Sequence, residues 1–500
     1  MPILLLDLPS EILILIFSSL GLATLTSCLA TNRCVKSIID GSALLQYRLA
    51  AQAACVEDNP GSIQIDSAHK LEMLQRRQDR FKRLSPRTIR TIELDDINLD
   101  GCKYALSGSI FAMAELDTKV LIWLSLANPE PVFQRLEVPG YIQDLALAIP
   151  DQDLLVVVLS SKPVADQPFV SDVAVELRFY EMSTQSGHPM AREHVMHVPS
   201  SGGRCPDIFE SDICGPKVAL LGNYYNRATR SWMFVYDWRS GCLLKSFSDC
   251  SYSAAVLLSP DVVLVTPKYM DIIEMWTVSD DIAAGPNISL LLPPPVEGAM
   301  YEIFNIGSEP KGYGSSPSQE PFYSSFTDSN IGLEIDFLFN HDLDRDESLF
   351  LVISRRALLQ LLPPVEFHGK ELAWKVWGPP IAHWLDGPSS WQSICGQRCA
   401  FAGPSGIRLV DLNPHEYKKA ISGPTKIQTR SEAIVSLRNE NRTIGVGLFA
   451  EEVRSHLGYL VAESVQDAYE DVFVGEECIV GLKNGLAPDS KKSIDIWYFG

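Results

Sequence analysis

Apolar residues near the start of the chain recur at helical spacing. The stretch LLLDLPSEILILIF (residues 4–17) is apolar on nearly every side, whereas a surface helix has one apolar stripe and one polar face. Three shorter helical stripes follow, with breaks at Asn32-Arg33 and Asp40-Gly41. Four short helices in about 50 residues form a core that is marginal alone. The first helix is therefore either buried wholly within its own chain, or packed on its own domain with one face and on a partner with the other.

The pattern changes from helical to alternating after Ser85-Pro86, which is typical of strands. A strand, a polar turn and a second strand recur about seven times, roughly 50 to 60 residues apart. KVLIWLSLANPEPVFQRLEV is one copy, WMFVYDWRSGCLLKSF is another, and SIDIWYFG (493–500) is the last. This recurrence predicts a β-propeller of about seven four-stranded blades. The alternative is another all-β design, such as two sandwiches.

The last copy ends on a third strand and lacks a fourth. RTIRTIEL (87–94) precedes the first full blade and has strand character. We expect residues 88–94 to pair with 494–499, because this pairing would close the ring and remove both sheet edges. The Gly-, Ser- and Pro-rich segment 307–330 reads as a mobile loop inserted into the propeller.

A basic segment joins the two regions. DNPG (58–61) breaks the chain, and residues 66–84 predict one amphipathic helix with Leu74 and Phe81 on its apolar face. Its Lys and Arg residues are most simply a solvated face, docking against the acidic C-terminal part is the alternative, and we interpret the helix as a spacer that fixes the distance between two domains. The predicted organisation is multidomain, α plus all-β: a helical domain at 1–56, a linker at 57–86 and a propeller at 87–500.

Charge and composition narrow the partners and the compartment. Residues 1–86 carry nine Lys or Arg and eight Asp or Glu, so the net charge of −20 leaves −21 on residues 87–500. Such acidity disfavours nucleic acid and favours a neutral or basic protein partner. No apolar run is long enough to span a membrane, and no basic residue precedes Arg33, as a signal peptide would need. Eleven cysteines without framework spacing suit an intracellular protein, cytoplasmic, nuclear or both.

Candidate chemistry is sparse. His383, Cys395 and Cys399 suggest a metal site, but a fourth ligand at suitable spacing is missing, so we expect no metal. GPSG (403–406) lacks the pattern of a hydrolase elbow, and no phosphate loop is present. We therefore expect no enzyme activity and no cofactor. Four tryptophans offer either a recognition hot spot or blade packing: Trp374, Trp377, Trp384 and Trp391.

LPSEILILIFSSLGLATLTSCLATNRCVKSIIDGSALLQYRL (8–49) resembles the F-box, the motif by which substrate receptors dock on the Skp-family adaptor of SCF-type cullin ubiquitin ligases. Two tryptophans common in that family are replaced here by Val35-Lys36 and Gln46-Tyr47. LLQYRLAAQAACVEDNP resembles the variant of fungal F-box proteins. FVYDWRSGCLLKSF resembles the third and fourth strands of a WD-repeat blade, without the family's Gly-His pair.

The resemblance implies that the chain is the substrate-recognition subunit of an SCF-type ubiquitin ligase. The F-box would bind the adaptor and, through it, the cullin, while the propeller would hold a target protein. The residues implied in adaptor binding are Leu8, Pro9, Ile12, Leu13, Ile16, Phe17, Leu20, Leu25 and Leu29. Two alternatives stay open: a non-degradative propeller scaffold that uses the F-box for adaptor binding, and a propeller hydrolase.

Overall fold

The computed structural model shows a small helical unit followed by a ring of β-sheets. It describes residues 5–59, 65–94, 101–128, 130–163, 173–199, 205–224, 231–279, 285–312, 320–339, 347–362, 369–386, 393–403, 406–422, 429–430, 433–438, 442–445, 447–464, 468–483 and 492–500.

Four helices after a 3₁₀ turn (Leu5–Asp7) form the N-terminal helical unit: α1 (Ser10–Ser19), α2 (Leu22–Thr31), α3 (Arg33–Gly41) and α4 (Ala43–Ala53). Asn32 caps α3 by accepting from the Cys34 amide at 2.7 Å, and Ser42 caps α4. Arg48 donates to the last carbonyls of α1, which have no partner within the helix. The core of the unit is apolar: Leu13, Phe17, Leu25, Val35, Ile39 and Leu45.

A short strand and a long helix connect this unit to the ring: β1 (Val56–Asp58) and α5 (Ser67–Lys82). Asp66 caps α5 by accepting from the amides of Ala68 and His69, each at 3.0 Å. Strand β2 (Thr88–Glu93) follows.

Seven sheets of at least four strands succeed one another along the chain, each antiparallel through its first four strands. Blade 1 contains β3 (Cys102–Ser107), β4 (Ile110–Glu115), β5 (Val120–Ser125) and β6 (Gln134–Glu137). Blade 2 contains β7 (Tyr141–Ala148), β8 (Leu154–Ser160) and β9 (Val175–Glu181), edged by β10 (Ser186–Gly187) and β11 (Val195–His197), with the short helix α6 (Ile149–Gln152) after β7. Blade 3 contains β12 (Ile208–Cys214), β13 (Lys217–Asn223), β14 (Ser231–Asp237) and β15 (Cys242–Cys250).

The next two blades carry insertions. Blade 4 contains β16 (Tyr252–Ser259), β17 (Val262–Pro267), β18 (Ile272–Thr277) and β19 (Ile288–Leu291). Blade 5 contains β20 (Ala299–Gly307), β22 (Asn330–Phe339), β23 (Glu347–Ser354) and β25 (Ala382–Asp386). Between these strands lie β21 (Phe322–Ser324), α7 (Arg355–Leu361), β24 (Lys370–Leu372) and α8 (Trp374–Ile381). Strand β24 extends blade 4 by pairing parallel with β19.

Blade 6 is the most elaborate. Its strands are β26 (Ile394–Cys395), β27 (Arg398–Gly403), β28 (Gly406–Asp411) and β33 (Tyr459–Ser464), and β30 (Ala433–Arg438) with β29 (Thr429–Arg430) extends its edge. Helix α9 (Pro414–Ser422) and the hairpin of β31 (Arg442–Ile444) and β32 (Val453–Ser455) are inserted before β33.

Blade 7 joins the two ends of the ring. Its strands are β34 (Asp471–Val474), β35 (Cys478–Lys483), β36 (Ser493–Tyr498) and, as the fourth, β2. Thr88 lies opposite Tyr498 and Glu93 opposite Ser493, so one outer strand comes from residues 400 positions away. The fold predicted from the sequence, helices followed by a seven-blade propeller, is confirmed.

The local pattern of blade 3 also agrees with its sequence. WMFVYD and CLLKSF form its third and fourth strands, β14 and β15. Asp237 turns the chain between them by accepting from the amides of Arg239 and Ser240, and Gly241 supplies a φ of +74°.

Candidate functional site

The N-terminal helical unit exposes large apolar side chains that its own core does not use. They are Leu5 (53% exposed), Leu6 (42%), Ile12 (43%), Leu15 (63%) and Leu44 (38%). We call these five residues the N-terminal apolar surface. Ile12 and Leu15 lie one helical turn apart on α1, so they share a face. Clustered exposed apolar side chains mark a binding surface.

The residues predicted for adaptor binding divide into three groups. Leu13, Phe17 and Leu25 are buried in the core of the helical unit and support its shape from within. Pro9 and Ile12 are exposed. The remaining four are half-buried: Leu8, Ile16, Leu20 and Leu29.

Four members of the N-terminal apolar surface were absent from the sequence prediction. Leu15 had a readable signal, because it follows Ile12 by three positions on a helix that is apolar on both sides. Leu5 and Leu6 precede α1, and Leu44 begins α4, so helical spacing along α1 alone does not reveal them.

The C-terminal end of helix α5 packs on the propeller through Phe81. Phe81 is fully buried, and its ring stacks on Phe499 with centroids 4.1 Å apart. The Arg398 guanidinium lies over the other side of the Phe81 ring, 4.3 Å from its centroid. Arg80 donates to the backbone oxygens of Phe499 and Gly500 at 3.0 and 2.8 Å. The basic linker helix therefore packs against the last blade instead of being solvated throughout.

A second contact fixes the segment before α5. Strand β1 pairs antiparallel with β21, an insertion of blade 5 that lies within the predicted mobile loop. Tyr47 of α4 is buried and donates from its hydroxyl to Asp58 at 2.7 Å. Burial of this ring, and to a smaller extent the neighbouring Asp58 carboxylate, raises the Tyr47 pKa well above its usual value. Tyr47 thereby supplies a large ring where the sequence lacks the usual tryptophan.

Acidic side chains tie neighbouring inner strands of the propeller together. Asp144 of blade 2 accepts from both the amide and the hydroxyl of Ser211 in blade 3, each at 2.6 Å. Asp212 of blade 3 accepts from the Leu257 amide of blade 4 at 2.7 Å. Burial raises the pKa of Asp144, although Lys103 lies 3.7 Å away. The same cause raises the pKa of neighbouring Glu210 to about 8.

The suspected metal ligands and three of the four tryptophans are buried. Burial lowers the pKa of His383 to about 4, and Cys395 and Cys399 lie buried on the β26–β27 hairpin. Within the described ranges, no group of three or more His, Cys, Asp or Glu is arranged to hold a metal ion. Three of the tryptophans are buried together in the largest apolar cluster: Trp374, Trp377 and Trp384. Trp391 lies outside the described residues.

Comparison with known families settles the helical unit. Residues 5–47 match the family model of the F-box domain. The N-terminal helices form an F-box. Its apolar surface is therefore in a domain type that generally binds Skp-family adaptors. No curated protein has a sequence that matches this chain.

The propeller that follows the F-box is similar to several solved structures at low identity. The WD40 domain of Toxoplasma gondii coronin is 12% identical, with 78% of this chain and 89% of that chain covered and a TM-score of 0.32. A DUF4221 member from Bacteroides vulgatus is 8% identical, with coverages of 76% and 98% and a TM-score of 0.30. KlHsv2 with a Gly-Ser linker in place of loop 6CD is 11% identical, with coverages of 49% and 76% and a TM-score of 0.23. The blade assignment rests on strand pairing in this chain alone.

The F-box and the propeller together are typical of non-enzymatic interaction proteins. No helix in the part of the chain that the structure describes is both long enough and apolar enough to cross a membrane.

Proposed function

We propose that the protein is the substrate-recognition subunit of an SCF-type ubiquitin ligase, acting in the cytoplasm, the nucleus or both. The F-box would dock on a Skp-family adaptor and, through it, on the cullin. The propeller would hold the target protein. The observation that carries the proposal is an F-box whose apolar surface is exposed and whose linker helix is packed on the propeller.

The mechanism is proximity rather than chemistry by this chain. A target held on the propeller would meet the ligase's charged conjugating enzyme at a raised effective concentration. Contacts of Phe81 and of β1 with the propeller support this, because a fixed linker restricts the positions that target lysines can sample. A freely rotating tether would lower the effective concentration of the target lysines at the conjugating enzyme.

Co-purification of the full chain with a Skp-family adaptor and a cullin tests the proposal. The test variant carries Ile12→Asp and Leu15→Asp, which places two charges on the N-terminal apolar surface without touching its core. Burying each unpaired charge in an interface costs several kcal/mol, so we expect capture to be lost. Val132→Asp is the matched control, because Val132 is also exposed and apolar (70%) but lies on the propeller.

Capture of the adaptor by the control and not by the double variant supports the receptor. Equal capture by both, or by neither, contradicts it. Capture of the adaptor without the cullin, or without ubiquitin transfer to any bound protein in a reconstituted reaction, would favour the adaptor-linked scaffold.

A further inference from the structure

A cavity lies where the linker meets the propeller. Its walls are the turns after the inner strands of blades 1, 2 and 7 together with residues 309–312 after β20, and its roof is Arg77 of α5 with Phe322 of β21. Its volume is about 100 Å³, which is enough for a long side chain or a few water molecules. Ala127 in its lining is exposed, so we infer that the cavity opens to solvent beside Ser109 and Ala127.

Carboxyl groups outnumber cations in this cavity. It is lined by five of them, Asp151, Glu309, Glu320, Glu476 and Glu477, and by two cations, Arg77 and Lys311. Lys311 is already engaged, since its Nζ lies 2.5 Å from Asp212. The cavity therefore has more potential negative charges than its two cations can balance.

The partners of these groups are incomplete in a specific way. Among the residues that the structure describes, no group accepts a hydrogen bond from the buried guanidinium of Arg77, and none donates one to the carboxyl of the half-buried Glu309. Arg77 is only 3% exposed and lies over the Phe322 ring, and its Nη1 is 3.9 Å from both Glu476 and Glu477, an ion-pair distance beyond that of a hydrogen bond. Buried polar groups are normally hydrogen-bonded, so the unpaired guanidinium, beside a carboxyl with open acceptor positions, indicates a ligand that supplies both an acceptor and a donor.

The remaining surface fits a flexible aliphatic stem. Leu106, Leu126, Ile149 and Pro150 make much of the lining apolar, and the ring of Tyr323 adds an aromatic wall. Lys and Arg side chains bury their methylene stems on such surfaces while their charged ends find polar partners. A basic residue within a polypeptide also carries a main-chain carbonyl, which is the acceptor that Arg77 lacks.

We propose that this cavity binds the side chain of a lysine or arginine residue presented by a target protein. The charge of −21 on residues 87–500 would draw a basic target towards the propeller. Naming the occupant a target rests on the proposed function. The binding itself does not involve the adaptor, so either proposal can fail while the other stands.

Burial of Glu309 adds a pH signature to the binding. Desolvation raises the Glu309 pKa to about 8, although Lys311 lowers it, and Asp151, Asp212 and Glu476 face it as further negative charges. A cation pairs with the ionised carboxylate, so its affinity should rise as pH increases towards 8.

The test measures the binding of three small probes to the full chain by ligand-observed NMR titration. N-acetyl-arginine methylamide carries the cation and the main-chain carbonyls, N-acetyl-citrulline methylamide has the same shape without the charge, and n-butylguanidine has the same single cation without main-chain amides. We expect the arginine probe to bind about tenfold more tightly than the citrulline probe and more tightly than n-butylguanidine. The preference over citrulline should grow from pH 6.5 to pH 8.5.

Two variants locate the binding. Glu309→Gln should lower the preference for arginine over citrulline, although four other carboxyl groups line the cavity, and this variant retains the fold because glutamine is close in shape to the protonated acid. Glu137→Gln is the control, because Glu137 is an exposed carboxylate on the outer strand of blade 1, and it should leave the preference unchanged. Equal binding of arginine and citrulline, or an unchanged preference in a folded Glu309→Gln variant, overturns the proposal. Binding of n-butylguanidine as tight as that of the arginine probe would overturn the assignment to a polypeptide.

Discussion

Phe81 is predicted to carry much of the attachment between the linker helix and the propeller. The side chain is fully buried between the Phe499 ring and the Arg398 guanidinium, so Phe81→Ala removes a whole ring from a packed site. Deleting a buried phenylalanine typically costs about 4 kcal/mol, which corresponds to roughly a thousandfold change in an equilibrium constant. The loss falls on the docked state of α5, because the ring belongs to that helix.

Native-state hydrogen exchange of the full chain measures this directly. We expect amides of α5 and β1 to exchange up to about a thousandfold faster in Phe81→Ala, as local opening becomes easier. Phe209→Ala is the matched control, since Phe209 is equally buried but lies in blade 3. It should destabilise its own blade and leave α5 protected. Unchanged exchange of α5 in Phe81→Ala, or equal acceleration in the control, would refute the view that this ring holds the linker.

Two further predictions concern stability. Gly481→Ala should lower the free energy of unfolding by about 1–3 kcal/mol, because the added methyl would overlap the Tyr469 ring; Gly41→Ala, at the exposed end of α3 where the methyl meets nothing within 4 Å, should not lower the urea midpoint. Glu309→Gln should change the pH profile of stability: the native state keeps a proton up to about pH 8 that the unfolded chain releases near 4.5, so wild-type stability falls as pH rises through that window. The stability advantage of the variant should therefore grow between pH 5 and pH 8 in urea titrations, and a constant difference would contradict this reasoning.

Much of the fold could be predicted from the sequence because it depends on local periodicity. The switch from helical to alternating spacing at residue 87 separates the F-box region from the propeller, and the caps Asn32 and Ser42 coincide with helix starts. The turn at Arg239-Ser240-Gly241 is chosen by short-range chemistry. Such features need no knowledge of distant parts of the chain.

The docking of α5 could not be predicted with the same certainty, because periodicity reveals a helical face and not what covers it. Arg77 was grouped with the solvated basic residues, yet it lies three positions after Leu74 and four before Phe81, on the buried stripe. That spacing is the signal in the sequence that Arg77 faces the same side of the helix as Leu74 and Phe81. The composition of 307–330 was equally misleading, since Phe322–Ser324 forms a strand whose partner, β1, is more than 260 positions away.

The cavity was beyond sequence reasoning for a similar reason. Asp151, Glu309 and Glu477 are far apart in the chain, and they meet only because the ring closes. The raised pKa values of Asp151 and Glu309 depend on burial that no local pattern encodes.

Closure of the ring by β2 and β36 has a consequence for synthesis. The F-box leaves the ribosome first and can form its helices early, but the strand that pairs with β2 and the Phe499 ring that receives Phe81 are made more than 400 residues later. Until then, β2 is an unpaired edge and the end of α5 lacks the Phe499 ring to pack on. A chain interrupted before residue 493 would thus carry an F-box attached through β1 and β21 but without the contacts of β2 and Phe81. Translation of the last strand completes the attachment that orients the F-box.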